Sequence, residues 1–226
     1  DLFIVGDAHQ RIYGHKVVLG QCGVNIRGRS KKLKLNYRTT DEIRKWSVAL
    51  LNGEKIDDMD DGVDTNSNYK SLYHGPSPLV EGFSSYEEEL HYIEEYIKNL
   101  KKDDENSRIC IVARTQKIID SYSNYFTDRN VSTIKISRNT KDNISNNGIR
   151  LATMHRVKGL DFDHVIIASM NNGVVPLEFT QKSDEQQIED EKQLKEKSIV
   201  FVAATRAKKS LLVTYYGKGS CFLNSK

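Results

Sequence analysis

The sequence predicts an α/β fold, a mainly parallel β-sheet flanked by helices. Two observations carry that expectation. Short β-branched runs alternate along the chain with longer amphipathic stretches, the rhythm of βαβ units. The run Ile109-Cys110-Ile111-Val112-Ala113 is also apolar at every position, so it has no solvent-facing side, as a strand inside a parallel sheet requires.

Residues 2–5 and 32–35 read as the first two strands. Residues 40–51 form a helix opened by Thr40, with Ile43, Trp46 and Leu50 at helical spacing. A strand over 79–83 precedes a helix over 86–100, whose Leu90, Ile93 and Ile97 share one side. The apolar strand 109–113 leads into a helix over 115–129, carrying Ile118, Ile119, Tyr122 and Phe126. Further strands are expected at 131–136, 149–153, 164–168 and 210–214. The helix over 185–207 starts acidic and becomes apolar at Ile199-Val200-Phe201-Val202. Two stretches lack periodicity and read as surface loops: the acidic, Asn/Ser-rich 52–75 and the polar 139–147.

Composition narrows the class. The 226 residues are 38% hydrophobic and 29% charged with 3 prolines, which excludes disordered and collagen-like chains. The longest apolar run, 199–204, falls far short of the roughly 20 residues of a membrane helix, so no membrane partner is expected. Cys22, Cys110 and Cys221 are odd in number and far apart. They supply neither a disulfide framework nor a zinc motif, and they fit a reducing, cytoplasmic setting. The chain opens on Asp1-Leu2-Phe3-Ile4, already inside an apolar run, and reads as a piece of something longer.

The net charge of +3 hides an asymmetry: residues 11–40 hold eight basic side chains and no acid, whereas 54–64 hold six acids. A solvated face and an electrostatic footprint for phosphate or nucleic acid both account for the basic stretch. Unusual residues cluster where function is expected in such a sheet, beyond the carboxyl ends of strands. Arg206 ends an apolar helix run, and a desolvated guanidinium is costly unless an anion meets it. Arg38, Gln10 and the Lys158-Gly159 turn add to a phosphate-reading set. Gly217-Lys218-Gly219-Ser220 only imitates a phosphate loop, because the Gly-x-x-x-x-Gly-Lys-Ser/Thr spacing occurs nowhere in the chain. The six histidines lack metal spacing, so no metal site is expected, and no Ser/His/Asp or Cys/His set can be assembled.

Four stretches, in order, resemble motifs III to VI of superfamily 1 DNA helicases of the UvrD/Rep type. They are Val5-Gly6-Asp7-Ala8-His9-Gln10-Arg11-Ile12-Tyr13, Leu35-Asn36-Tyr37-Arg38-Thr39, Thr153-Met154-His155-Arg156-Val157-Lys158-Gly159-Leu160-Asp161-Phe162, and Val202-Ala203-Ala204-Thr205-Arg206-Ala207. The resemblance implies a RecA-like fold of the P-loop NTPase type and two motor domains with ATP in the cleft between them. Residues 1–30 would be the tail of the first domain and 31–226 the second, with 52–75 its acidic surface loop. The phosphate loop and the Mg2+ ligands would lie upstream, in the N-terminal domain of the same chain.

By the same resemblance Gln10, Arg38 and Arg206 attend the γ-phosphate, while Tyr37, Gly159 and Asp161 face the nucleotide. Asp161 stands where the family has Glu. Tyr13, His15, Lys16, Thr153 and His155 would lie toward single-stranded DNA, with His15 in place of the family's usual Trp or Phe. The piece alone would be inactive, and accessory repair proteins are conceivable partners of the parent. Large members insert a subdomain between motifs IV and V; here 139–147 is the natural insertion point, and little is inserted. Two functions follow from these residues: a motor domain of an ATP-dependent DNA helicase, or a non-catalytic scaffold or regulatory module in a repair, nuclease or transcription complex.

Overall fold

The elements of the molecule are set by where its apolar residues can be buried and its helix ends capped. The computed structural model describes residues 4, 6–10, 12–13, 22–24, 31, 33–54, 69–137, 142, 146–178 and 186–223, with backbone alone for Ala8, Gln186 and Gln187. In chain order these form β1 (Leu35–Thr40), α1 (Asp41–Ala49), β2 (Lys70–Tyr73), β3 (Leu79–Phe83), α2 (Tyr86–Asp103) and β4 (Ile109–Ala113). There follow α3 (Gln116–Thr127), β5 (Thr133–Lys135), β6 (Ile149–Thr153), β7 (Phe162–Ile167), α4 (Gln186–Ala204) and β8 (Ala207–Tyr216). Three helices start on hydroxyl caps: Thr40, Ser85 and Thr115 accept from the backbone N–H three residues on.

Six strands form one sheet in the order β3-β8-β7-β4-β6-β5, all parallel. Alternation along β4 builds the two layers around it. Ile109, Ile111 and Ala113 face a core with Leu90 and Ile93 of α2 and Ile119, Tyr122 and Phe126 of α3. Cys110 and Val112 face the other, formed by Ile43 of α1 and the apolar run of α4. This is the α/β, RecA-like class expected, and β4 is central as its composition requires.

Several boundaries differ from expectation. The strand expected at 32–35 is β1, shifted to Leu35–Thr40, so the Asn-Tyr-Arg-Thr stretch lies within a strand. Its parallel partner β2 falls inside the expected loop 52–75. Acids in the first turn of α1 hold that strand and the residues after it. Asp41 Oδ1 accepts from Ser71 N at 3.3 Å, and Glu42 accepts from His74 Nδ1 at 3.0 Å and Gly75 N at 2.9 Å. The last helix stops at Ala204, three residues early, and β8 begins at Ala207 rather than 210. Arg206 therefore lies in a turn between them. The strand expected at 2–5 falls, Ile4 apart, outside the described residues, as does most of 139–147. No described helix is long and apolar enough to cross a membrane.

Candidate functional site

The turn between α4 and β8 buries Arg206 to 2% exposure. Its Nε donates to Val202 O at 3.0 Å and Nη1 to Leu160 O at 3.4 Å. Its Nη2 donates to Thr205 Oγ1 at 3.1 Å and to Gln10 Oε1 at 3.5 Å. Every one of these acceptors is neutral, and no carboxylate among the described residues pairs with it. Burial pushes its pKa down to about 10, and the nearby charge of Arg38 acts the same way against Asp7 and Asp161. The group remains a cation at neutral pH, desolvated and without a counter-ion.

Gln10 reaches this place because the turn Ala8–Gln10 lies against α4, with the His9 ring 5.9 Å from that of Phe201 and Ile12 buried in the core. Gln10 Nε2 donates to Asp7 Oδ2 at 2.7 Å, and its carbonyl accepts from Lys158 Nζ at 2.9 Å. Burial works against the Asp7 carboxylate, but its bonds and charge interaction with His9, and the bond from Gln10, hold its pKa below the ordinary value.

Asp161 and Arg206 sit side by side. Phe162 pairs with Ala207, and Phe162 N donates to Arg206 O at 2.9 Å. Both residues therefore precede their strands, at the amino edge of the sheet. That corrects the expectation of carboxyl ends, which only Thr153, closing β6, fulfils among the site residues on the six-stranded sheet. The reason is the short connection 154–161, which runs from the carboxyl end of β6 back to the amino end of β7. Gly159 takes φ +89° within it, while a Cβ there would meet nothing within 4 Å, so backbone conformation and not space calls for glycine.

The Asp161 carboxylate takes Lys208 Nζ at 3.0 Å and Arg108 Nη1 at 3.6 Å, and Arg108 Nη1 also donates to the Asp161 carbonyl at 2.9 Å. Burial alone would raise its pKa; Lys208, Arg38 and Arg108 outweigh that and hold it low. Arg38 is exposed on β1 beside this cluster and makes no ion pair among the described residues. Its backbone is set by Asn36, whose Oδ1 accepts from Arg38 N at 2.7 Å and Thr39 N at 3.3 Å. Tyr37 on the same strand is 66% exposed.

Of the residues expected toward nucleic acid, Tyr13 and His155 meet beside Lys158. Tyr13, 54% exposed, donates from its hydroxyl to His155 O at 2.6 Å, and the two rings are 5.9 Å apart. Lys158 Nζ stands 5.5 Å from the Tyr13 ring centroid. Burial first, then the charge of Arg114, lowers the His155 pKa, so its ring is neutral at pH 7. His15 and Lys16 lie outside the described residues.

Lys158, expected within the phosphate-reading set, links the Gln10 carbonyl to the Tyr13 ring. Three residues were not singled out from sequence. Arg108, just before β4, and Lys208, on β8, engage Asp161 from far away in sequence, and only their basic character hinted at it. Arg114, at the carboxyl end of β4, forms a two-bond pair with Glu196 of α4 at 2.9 and 2.6 Å, next to His155. Among the described residues no cluster of three His, Cys, Asp or Glu could hold a metal ion. The two carboxylates near Arg206 are already engaged, Asp7 by His9 and Gln10, Asp161 by Lys208 and Arg108, so this set does not fit Mg2+.

The UvrD-like helicase C-terminal domain family matches residues 31–141 and 132–218. The protein named ATP-dependent DNA helicase Rep from Buchnera aphidicola is 27% identical over 190 residues, 82% of this chain and 25% of that protein. ATP-dependent DNA helicase PcrA from Staphylococcus aureus is 27% identical over 188 residues, 83% of this chain and 23% of its own length. The chain thus spans about a quarter of these relatives. The crystal structure of the C-terminal domain of a possible DNA helicase from Lactobacillus plantarum shares the fold, with a TM-score of 0.56 at 18% identity over 83% of this chain and 92% of that one. The family match covers the six-stranded sheet, the strand that carries Arg38 and the connections that carry Asp161 and Arg206, and the chain belongs to the UvrD-like helicase C-terminal domain family.

Proposed function

We propose that this chain is the second motor domain of an ATP-dependent DNA helicase or translocase, preceded at 1–30 by the end of the first. The observation that carries this is Arg206: a buried cation bonded only to neutral oxygens, one of them Gln10 Oε1 at 3.5 Å. Such a group is stabilised by an incoming anion, and the γ-phosphate of ATP held by a neighbouring domain supplies one. The span of the family match, beginning at residue 31, supports the placing of the domain boundary.

In this reading Arg206 and Arg38 approach the γ-phosphate as the cleft closes, and Gln10 orients by hydrogen bonding. Arginine suits the task because its fixed charge and planar donor fork stabilise the negative charge that spreads over the phosphoryl oxygens in the transition state. Asp161 and Gly159 face the nucleotide and Tyr37 offers an exposed ring to the base. Single-stranded DNA lies along Tyr13, Thr153 and His155, and His15 and Lys16 are assigned to it by the motif resemblance alone. Lys158 joins the two halves, since it touches the Gln10 carbonyl and faces the Tyr13 ring. A change at the phosphates then reaches the DNA side through one side chain. The chain alone, without a phosphate loop, hydrolyses no ATP.

The test is ATP turnover by the intact protein containing this chain, with and without single-stranded DNA. Stimulation by DNA is expected, and Arg206→Ala is expected to lower the stimulated rate by about 10³–10⁵, the class value for arginine fingers. Turnover indifferent to both DNA and the substitution would favour the scaffold.

A further inference from the structure

Asp161 raises a question of electrostatics that the motifs leave open. It precedes Phe162, which pairs with Ala207, so one step back along the ladder it lies opposite Arg206. A carboxylate beside a buried, unpartnered guanidinium is expected to neutralise it. It does not: its oxygens go to Lys208 at 3.0 Å and Arg108 at 3.6 Å, while Arg206 keeps to neutral acceptors. The ladder explains how. Phe162 pairs with Ala207 but His164 pairs with Ser210, so β8 carries one extra residue just there. Irregularities of this kind re-aim side chains near functional sites. Here Lys208 is delivered to Asp161 and Lys209 to Asp163 at 3.4 Å and Asp104 at 3.2 Å.

We propose that Lys208, with Arg108 behind it, is a positioning residue that holds the Asp161 carboxylate off Arg206 and Arg38 and so keeps both guanidiniums available to an anion. Lys208 need not touch nucleotide to do this; it acts by occupying the nearest counter-ion. Without it, Asp161 turns to the arginines and competes with the phosphate for them. The inference rests on the motor reading for its kinetic consequence but not for its structural one.

A double-mutant cycle in the intact protein tests it. Lys208→Gln, at a partly exposed site, is expected to lower kcat at saturating ATP about tenfold or more, equivalent to about 1.4 kcal/mol of barrier. Lys208→Arg restores it. Adding Asp161→Asn to Lys208→Gln is expected to bring kcat back to that of Asp161→Asn alone, because the competing charge is gone. A direct contact of Lys208 with nucleotide, or a purely structural role, predicts no such rescue, and additive losses would overturn the proposal. The crystal structure of the Lys208→Gln variant gives a second readout: the Asp161 carboxylate within ion-pair distance of Arg206 or Arg38 supports it, and an unmoved carboxylate sinks it. Wild-type turnover indifferent to DNA and to Arg206→Ala would defeat the motor reading instead, leaving this structural readout to decide the inference.

Discussion

Two buried charges in this molecule are treated in opposite ways. Glu89 is fully buried and fully answered: it accepts from Ser169 N at 2.9 Å, Ser169 Oγ at 3.0 Å, Tyr122 Oη at 2.8 Å and Thr214 Oγ1 at 2.6 Å. Arg206 is nearly as deeply buried and has no charged partner among the described residues. The first arrangement serves the fold; the second is the one that the proposed function assigns to an incoming phosphate. Glu89→Ala strands several buried donors and is expected to cost about 3–5 kcal/mol in denaturant unfolding. Arg206→Met keeps the apolar stem, sheds a desolvated charge, and is expected to change stability by no more than about 1–2 kcal/mol while abolishing DNA-stimulated turnover. A large stability loss for Arg206→Met with turnover intact would reverse the assignment. Two histidines add a pH dependence. Burial lowers the pKa of both His155 and His164. The unfolded chain therefore binds protons that the folded one refuses, and stability is expected to fall as pH drops below about 6.5. Urea midpoints at pH 7.5 and 5.5 measure it, and His164→Asn should flatten the decline; a midpoint unchanged with pH would contradict the shifts.

Helix α4 connects the two halves of the site. Its middle holds Glu196, paired with Arg114 beside His155, and its end feeds the turn of Arg206. Glu196 also accepts from Leu177 N at 3.2 Å, so it ties the connection before the helix as well. Glu196→Ala leaves the largely buried Arg114 without its partner and is expected to cost about 3–5 kcal/mol, read as a lower unfolding midpoint. A neutral result would mean the pair is exchanged freely for water. The extents of α2, α3, β4 and β6 were readable because hydrophobic period and hydroxyl caps are local signals. The α4 boundary was not. The chain is apolar from Ile199 to Ala204 with no Gly or Pro before Ala207, and only the pairing of Ala207 with Phe162 distinguishes strand from helix. Strand β2 was hidden for a related reason: its support comes from Asp41 and Glu42, some thirty residues earlier, and its own Lys-Ser-Leu-Tyr is not alternating.

Across the whole molecule, the parallel sheet with a core on each face was predictable from β4 and the βαβ rhythm. The arginines, Gln10 and the Lys-Gly turn were legible through their motifs. What could not be read was how charge is apportioned among them. The diversion of Asp161 to Lys208 and Arg108 arises from a one-residue slip in the pairing of β7 with β8 and from Arg108 at the start of β4. Neither spacing nor composition encodes that. The consequence for the whole protein is that Arg206, buried at the amino edge of the six-stranded sheet, and Arg38, exposed on β1, pair with no carboxylate among the described residues.

The most direct measurement compares equilibrium affinities for ADP and a non-hydrolysable ATP analogue in the intact protein, wild type against Arg206→Ala. If Arg206 meets the γ-phosphate, the substitution weakens the triphosphate by about tenfold or more, in line with about 1.5–3 kcal/mol for a hydrogen bond to a charged group, and leaves ADP unchanged. Equal loss for both nucleotides, or no loss for either, would contradict the account.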